Sequence, residues 1–301
     1  MPSKLNLKHD MAFKSVFGSD TKESQIALCS LLSSILKQPV TSVRVMNSEL
    51  TSEFAKQKHP RMDLLVSFDD GRLANIEMQV VYDPEEFFYR MFYYEIRLAS
   101  RQVLKEGEPY SNFHPVYQIV ITDFIISPEY EELVEQFEQR NWKGQALKYA
   151  GQLMQLIFVQ LPKVPLMDVK DMSLLEKWSF FLKYFEDEGK QSIIKEVIKQ
   201  EEGIAMANKI IKYMSQEWID QLNEEFEQLS INDSIRMENA RIKRAEEKGR
   251  EEGIQQGREQ GILEGQKNLI KTLSLTMSVD EIAKALQKST EEIHRFLKDY
   301  Q

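Results

Sequence analysis

The sequence predicts an α/β fold: a mixed central sheet flanked by helices, continued by an all-helical C-terminal extension. Three observations carry that prediction. Two short alternating segments, 62–68 and 74–80, meet at a tight turn and read as a hairpin. The order helix, three-strand meander, helix, strand through residue 124 makes the last connection a crossover, which sets parallel strands beside antiparallel ones. Beyond Met172 the apolar residues recur at helical spacing. The expected divisions are a core over 1–170, a helical subdomain over 171–235, a glycine-periodic charged helix over 236–266 and a small helix-turn-helix-like module over 267–301.

Taken in order, residues 8–17 and 21–37 read as helices. Phe13, Val16 and Phe17 give the first an apolar side, Gly18-Ser19-Asp20-Thr21 supplies a stop and a new cap, and Ile26, Leu28, Leu31, Leu32 and Ile35 line the second. Residues 41–47 form a first strand, and a polar loop from Glu49 to Pro60 leads into the hairpin. After Asp83-Pro84 a helix is expected from Glu85 to Leu104, with Pro84 fitting its first turn. Phe88, Phe92, Ala99 and Val103, with Ile96 beside them, are its expected core stripe. Arg90, Tyr94, Arg97 and Arg101 line the opposite face, a basic and aromatic stripe.

Pro115 to Phe124 holds Val116, Ile119, Val120 and Ile121 and reads as a buried central strand, and Met154 to Leu161 as a further strand after a polar segment. Leu174, Leu175, Trp178, Phe181, Leu182 and Phe185 make the next helical stripe, and more helices follow from Glu188 to about Gln228. Gly249, Gly253, Gly257, Gly261 and Gly265 then repeat among Arg, Glu, Lys and Gln. Each glycine costs about 1 kcal/mol in a helix, so this stretch is either a helix whose bare seam admits a second helix or a flexible charged linker. The strong helix formers around the glycines favour the self-associating helix. Ser278 and Ser289/Thr290 cap two short final helices. A DNA-reading role there falls to Lys288, Ser289, His294, Arg295 and Lys298, but Glu291 and Glu292 at the helix start repel phosphates, and a packing module is the expectation.

The turn of the hairpin decides which side chains meet. A two-residue Asp70-Gly71 loop sets Met62 against Gln79 and Leu64 against Glu77, mixing polar and apolar side chains on one face. A three-residue loop, Asp69-Asp70-Gly71 with Gly71 left-handed, pairs Phe68 with Arg72, Val66 with Ala74, Leu64 with Ile76 and Met62 with Met78. One face is then wholly apolar. On the other, Asp63 stands across from Glu77 at a Cβ separation of roughly 5 Å, with Gln79 one alternation along.

Two carboxylates that close repel unless one is protonated or a cation lies between them, and hard oxygen ligands suit Mg²⁺ or Mn²⁺. Asp63 and Glu77 are therefore the candidate metal ligands, and a cation held there suits hydrolysis of a phosphodiester. The bland reading of the same residues is the solvated outer face of an antiparallel sheet.

Asp63 followed by Glu77-Met78-Gln79 after a short hairpin resembles the PD-(D/E)XK nuclease signature, in the form found in the recombination-promoting nuclease (Rpn) or putative transposase family. His-Asp-Met-Ala-Phe-Lys-Ser-Val-Phe-Gly at 9–18, the aromatic-rich helix after the hairpin and the glycine-rich charged helix resemble the family as well. The resemblance covers most of the chain and implies a restriction-endonuclease-like core. Two departures are plain: Met62-Asp63 stands for Pro-Asp, and Gln79 stands where the signature has a catalytic lysine. The resemblance implies a Mg²⁺-dependent DNA endonuclease, with catalytic roles for Asp63, Glu77, Gln79 and Asp10, linked to recombination, transposition-like breakage or defence against foreign DNA. Gln79 can position a water through its amide but adds no charge. Asp10 either lends a carboxylate to the site or caps its helix. Lys14, Arg90, Tyr94 and Arg97 are the candidate phosphate contacts, with solvation or salt bridging as the alternative. The alternative function is a catalytically inactive DNA-binding or assembly protein on the same core, oligomeric through its C-terminal helices.

A net charge of −9 argues against a large non-specific nucleic-acid surface, so DNA affinity must come from a local patch and fall steeply with salt. The single cysteine, Cys29, lies in an apolar helical run and reads as a buried structural thiol. No stretch approaches a membrane span, the first residues lack the apolar core of a secretory signal, and a cytoplasmic protein is expected. His9, His59 and His114 lack zinc-site spacing and are assigned loop or cap roles.

Overall fold

The computed structural model describes residues 4–46, 63–84 and 86–298. The expected loop Glu49–Pro60, the strand end at Asn47, the Met62–Met78 pair, His59 and the helix start at Glu85 lie outside the described residues. The chain forms two compact units, Met1–Ser234 and Ile235–Gln301.

The first unit opens with helices α1 (Asp10–Phe17) and α2 (Lys22–Leu36), whose Thr21 cap accepts a hydrogen bond from the Ser24 amide. An antiparallel meander follows, β1 (Val43–Met46), β2 (Leu64–Phe68) and β3 (Leu73–Gln79). Helix α3 (Phe87–Ala99) then crosses over to β4 (Val116–Thr122), which lies parallel to β3. Strands β5 (Val134–Phe137) and β6 (Met154–Gln160) complete a six-stranded mixed sheet of order β1-β2-β3-β4-β6-β5. Helices α4 (Leu174–Tyr184), α5 (Gln191–Gln200), α6 (Glu202–Tyr213) and the first turns of α7 (Gln216–Leu273) finish the unit.

The hairpin has the three-residue turn. Val66 pairs with Ala74 and Leu64 with Ile76, the Phe68 amide donates to the Arg72 carbonyl at 2.9 Å, and Gly71 sits at φ +86°. A side chain at Gly71 would also meet the His114 ring, 2.7 Å from where its Cβ would stand. The register fixes both faces of the sheet. Leu64, Val66, Ala74, Ile76, Met78, Ile119, Ile121, Ile157 and Val159 pack into one core with α1, α2, α4, α5 and α6. Helix α6 crosses α2 closely, because Gly203 lies where a Cβ would stand 2.3 Å from Ser30 Cβ, and the same Ser30 accepts from Trp178 Nε1 at 3.0 Å. The helices after residue 171 thus share the core of the sheet.

The opposite face of the sheet is covered by α3, which corrects two expectations. This face is not solvated: Asn75, Glu77 and Gln118 are buried. The helix also meets the sheet with a different stripe. Phe87, Met91, Glu95 and Leu98 face inward, while Phe92, Ile96 and Val103 are exposed and the helix ends at Ala99 rather than Leu104. Apolar residues surround α3 on most sides, so spacing alone does not select the buried stripe. Strand β5, absent from the sequence reading, is short and glutamate-bearing, and it pairs at the sheet edge with β6.

Helix α7 is continuous through all five periodic glycines. In the second unit its end packs with α8 (Val279–Leu286) and α9 (Thr290–Lys298) around Ile270, Ile282 and Ile293. Glu292 accepts from the Ser289 amide at 3.0 Å and Lys288 pairs with Glu292 at 3.5 Å, so two of the residues considered for DNA reading are occupied at the cap of α9. Cys29 is buried, and burial raises its thiol pKa.

Candidate active site

The site forms where β2 begins and β3 ends. Because the hairpin register sets residue 63 across from residue 77, their side chains interlock through the backbone: the Asp63 amide donates to Glu77 Oε1 at 3.4 Å, and the Met78 amide donates to Asp63 Oδ2 at 3.1 Å. Asn75 Nδ2 donates to Glu77 Oε1 at 2.8 Å and to Gln118 Oε1 at 3.0 Å. Gln79 Nε2 donates to Glu77 Oε2 at 3.3 Å, and its Oε1 accepts from Arg90 Nη2 at 2.5 Å. Glu77 is thus gripped by three donors while Arg90 clamps the glutamine from α3.

The electrostatics are those of a carboxylate pair lacking full compensation. Burial first, and then Asp63, push the Glu77 carboxyl up to about 8. Asp63 is raised too, by burial, with Lys14 opposing. Tyr94, on α3, is raised by burial and by Glu77. Asn75 Oδ1 and Gln118 Nε2 are buried without a hydrogen-bond partner, so the polar layer behind Glu77 is only partly satisfied.

Helix α1 supplies a cation, Lys14, and a third carboxylate, Asp10. Lys14 Nζ lies 3.4 Å from Asp63 Oδ1 and 3.8 Å from Asp10 Oδ2, bridging the two acids. Asp10 accepts from the Met11 amide at 2.8 Å, so its carboxylate serves the helix start and also faces the site. His9 precedes it at the cap position but makes no side-chain cap. It is buried edge-on against Phe226, at 5.5 Å between ring centroids. Burial lowers its pKa, and neither ring nitrogen has a hydrogen-bond partner. A cleft of about 200 Å³ opens here, lined by Asp10, Asp63, Gln79, Phe226, Leu229 and Ser230 among others.

Asp63, Glu77, Gln79, Asp10, Lys14 and Arg90 therefore come together. Tyr94 and Arg97 lie half-buried on the Arg90 flank of α3, and burial, with Arg97 adding to it, lowers the pKa of Arg101 beside them. Sequence reasoning missed Asn75 and Gln118, which resemble ordinary strand residues until the parallel β3–β4 pairing sets them side by side. It also missed the wall from α7, which tertiary packing alone brings to the site.

Could a divalent cation be held here? A buried and a partly buried carboxylate with raised pKa values, the latter already bridged by an ammonium, are the donor chemistry such an ion stabilises, and Mg²⁺ is commonly held by one or two carboxylates with waters completing its shell. No group of three or more His, Cys, Asp or Glu side chains poised for a metal occurs among the described residues, so the fit is to a water-rich ion.

A mixed sheet between helical layers, with an Asp and a Glu-x-Gln interlocked across a hairpin, is consistent with the α/β fold of the PD-(D/E)XK class. A family model described as PD-(D/E)XK nuclease family transposase matches residues 7–240, and the chain belongs to that family. No curated protein and no solved structure matches it. Membership carries a nuclease or transposase-like role with DNA as the implied substrate, in a family whose members usually use divalent metals. No helix among the described residues is long and apolar enough to cross a membrane.

Proposed function

We propose that the protein is a Mg²⁺-dependent DNA endonuclease, with Mn²⁺ as a competent substitute, that hydrolyses phosphodiester bonds in recombination, transposition-like breakage or defence against foreign DNA. The observation that carries this reading is the interlocked Asp63–Glu77 pair, with the Glu77 carboxyl pushed up to about 8. In this reading Asp63 and Glu77 hold the ion. Bound there, a divalent cation supplies charge to the developing phosphoryl oxyanion and makes water a better nucleophile.

The chain's own residues do the rest. Both ends of the Gln79 amide are engaged, which leaves one N–H and one lone pair to orient a water. The positive charge a lysine would bring at position 79 comes instead from Arg90 and Lys14. Asp10 holds Lys14 toward Asp63. Arg90, Tyr94 and Arg97 continue the phosphate track along α3. The second reading, an inactive DNA-binding or assembly protein, is favoured by one observation: the Lys14 ammonium already neutralises part of the acid cluster without a metal.

Cleavage of supercoiled plasmid separates the two. Nicking is expected with Mg²⁺ or Mn²⁺, none with EDTA, and a loss of at least a hundredfold in Asp63→Ala and Glu77→Ala of equal folded content. Silence in every metal, or activity surviving both substitutions, overturns the assignment. The glycine seam of α7 is read as self-associating, since a Cβ at each of its five glycines would meet nothing within 4 Å and the bare backbone can admit a second helix. Sedimentation equilibrium is expected to give a multiple of 35.3 kDa, and a monomer across the micromolar range refutes it.

A further inference from the structure

Between β5 and β6 the chain extends past the sheet as a finger, residues 138–153, that the site does not use. Its tip is stiff. The Asn141 amide donates to the Gln145 carbonyl at 2.9 Å, Asn141 Oδ1 accepts from the Lys143 and Gln145 amides, and Arg140 reaches the Gly144 carbonyl at 2.7 Å while pairing with Glu138. A second turn, closed by the Gly151 amide on the Leu147 carbonyl at 2.7 Å, braces the return strand.

On this rigid finger two large rings stand almost free of the protein: Trp142 is 90% exposed and Tyr149 is 91% exposed. Tyr149 does so at φ +64°, a left-handed conformation that bulky side chains rarely adopt. Strain of that kind, with no burial of the ring in return, points to a surface shaped for contact. Each ring carries a cation, with Lys143 Nζ 4.9 Å from the Trp142 centroid and Lys148 Nζ 4.8 Å from that of Tyr149. Neither lysine makes an ion pair among the described residues. The finger holds three cations, Arg140, Lys143 and Lys148, against one carboxylate, Glu138, in a chain of net charge −9.

We propose that this finger is a second nucleic-acid contact, in which Trp142 and Tyr149 stack on unpaired bases while Lys143 and Lys148 meet the flanking phosphates. Flat exposed rings with ammonium groups beside them match a base next to a phosphate. Bases within a duplex are already stacked, so the substrate is DNA with a single-stranded segment. The strand register sets Leu73, Val116 and Met154 at one end of the sheet and Gln79, Thr122 and Gln160 at the other. The finger leaves beyond Met154, so at least the length of the strands, roughly 20 Å at 3.3 Å per residue, separates it from Gln79. That span corresponds to a minimum of about six nucleotide steps at 3.4 Å. The assignment rests on the nuclease reading and names the form of its substrate.

The test is fluorescence anisotropy of the full-length protein in EDTA with a labelled thymidine oligonucleotide and with a blunt duplex of equal length. The native protein is expected to prefer the single strand and to lose tryptophan emission on binding it, since the other two tryptophans are less exposed. The double variant Trp142→Ala/Tyr149→Ala is expected to weaken single-strand affinity at least tenfold and duplex affinity less than twofold, with Trp142→Phe retaining most of it. Lys143→Gln/Lys148→Gln is expected to reduce the slope of log affinity against log salt by about 1.4, at roughly 0.7 per phosphate contact. Unchanged single-strand affinity in the alanine pair overturns the finger assignment alone, provided the native protein binds DNA and nicks plasmid. Absence of any nucleic-acid binding and of nicking by the native protein removes the nuclease reading with it. A changed sedimentation coefficient with unchanged affinity makes the finger a contact between copies and likewise overturns the proposal.

Discussion

The two faces of β3 are built from alternate residues of one heptapeptide and obey opposite rules. Ala74, Ile76 and Met78 are buried in an apolar core shared with α1, α2, α4, α5 and α6, where burial adds stability. Asn75, Glu77 and Gln79 point to the other side, where burial leaves Asn75 Oδ1 without a partner and holds Glu77 at a pKa far above its ordinary value. The strand thus anchors the fold with one face and places on the other a buried, incompletely compensated polar cluster. That division lets the site be strained without the hairpin coming apart, because its register is fixed by the apolar side.

Substitutions on the two faces sharpen the contrast. Ile76→Ala is expected to lose about 2–5 kcal/mol of unfolding free energy in urea, the range for emptying a fully buried aliphatic site. Asn75→Ala, one residue away and equally buried, is expected to lose about 1–3 kcal/mol, because Glu77 Oε1 and Gln118 Oε1 each lose a donor but little apolar packing goes. A cost for Asn75→Ala at or above that of Ile76→Ala would mean that the polar face also holds the fold together.

What the sequence disclosed follows the same line. The pairing of 63 with 77 was legible because the turn allows two loop lengths and only the three-residue Asp69-Asp70-Gly71 loop keeps the apolar alternation on one face. The buried stripe of α3 was not, since Phe87, Phe88, Met91, Phe92, Tyr93, Tyr94, Ile96 and Leu98 offer apolar choices in several directions and the true stripe contains Glu95. Glu95 lies under the helix with its carboxyl pushed up to about 7 by burial, a placement that no apolar spacing rule would select. Gln118 and the α7 wall were hidden for a different reason: they reach the site through parallel pairing and long-range packing, which leave no local mark. Residues 138–153 read as an undistinguished polar stretch because exposure and a positive φ at Tyr149 are properties of the folded finger.

The measurement that tests the account most directly is the pH dependence of stability in EDTA and in Mg²⁺, for the native protein beside Glu77→Gln. Glu77 has a folded pKa of about 8 against an ordinary value of 4.5, so the folded state holds its proton longer than the unfolded chain does. Stability contributed by the neutral carboxyl is whole below pH 4.5 and is lost as pH rises through 8, a change on the order of 4 kcal/mol. Asp63, raised above its ordinary 3.8, acts in the same direction. In EDTA the native protein is expected to lose that amount between pH 4.5 and 8 beyond any loss in Glu77→Gln, and Mg²⁺ at pH 8 is expected to restore much of it to the native protein and little to the variant. Parallel pH profiles for the two proteins, or equal stabilisation of both by Mg²⁺, would contradict a cation site built on Glu77.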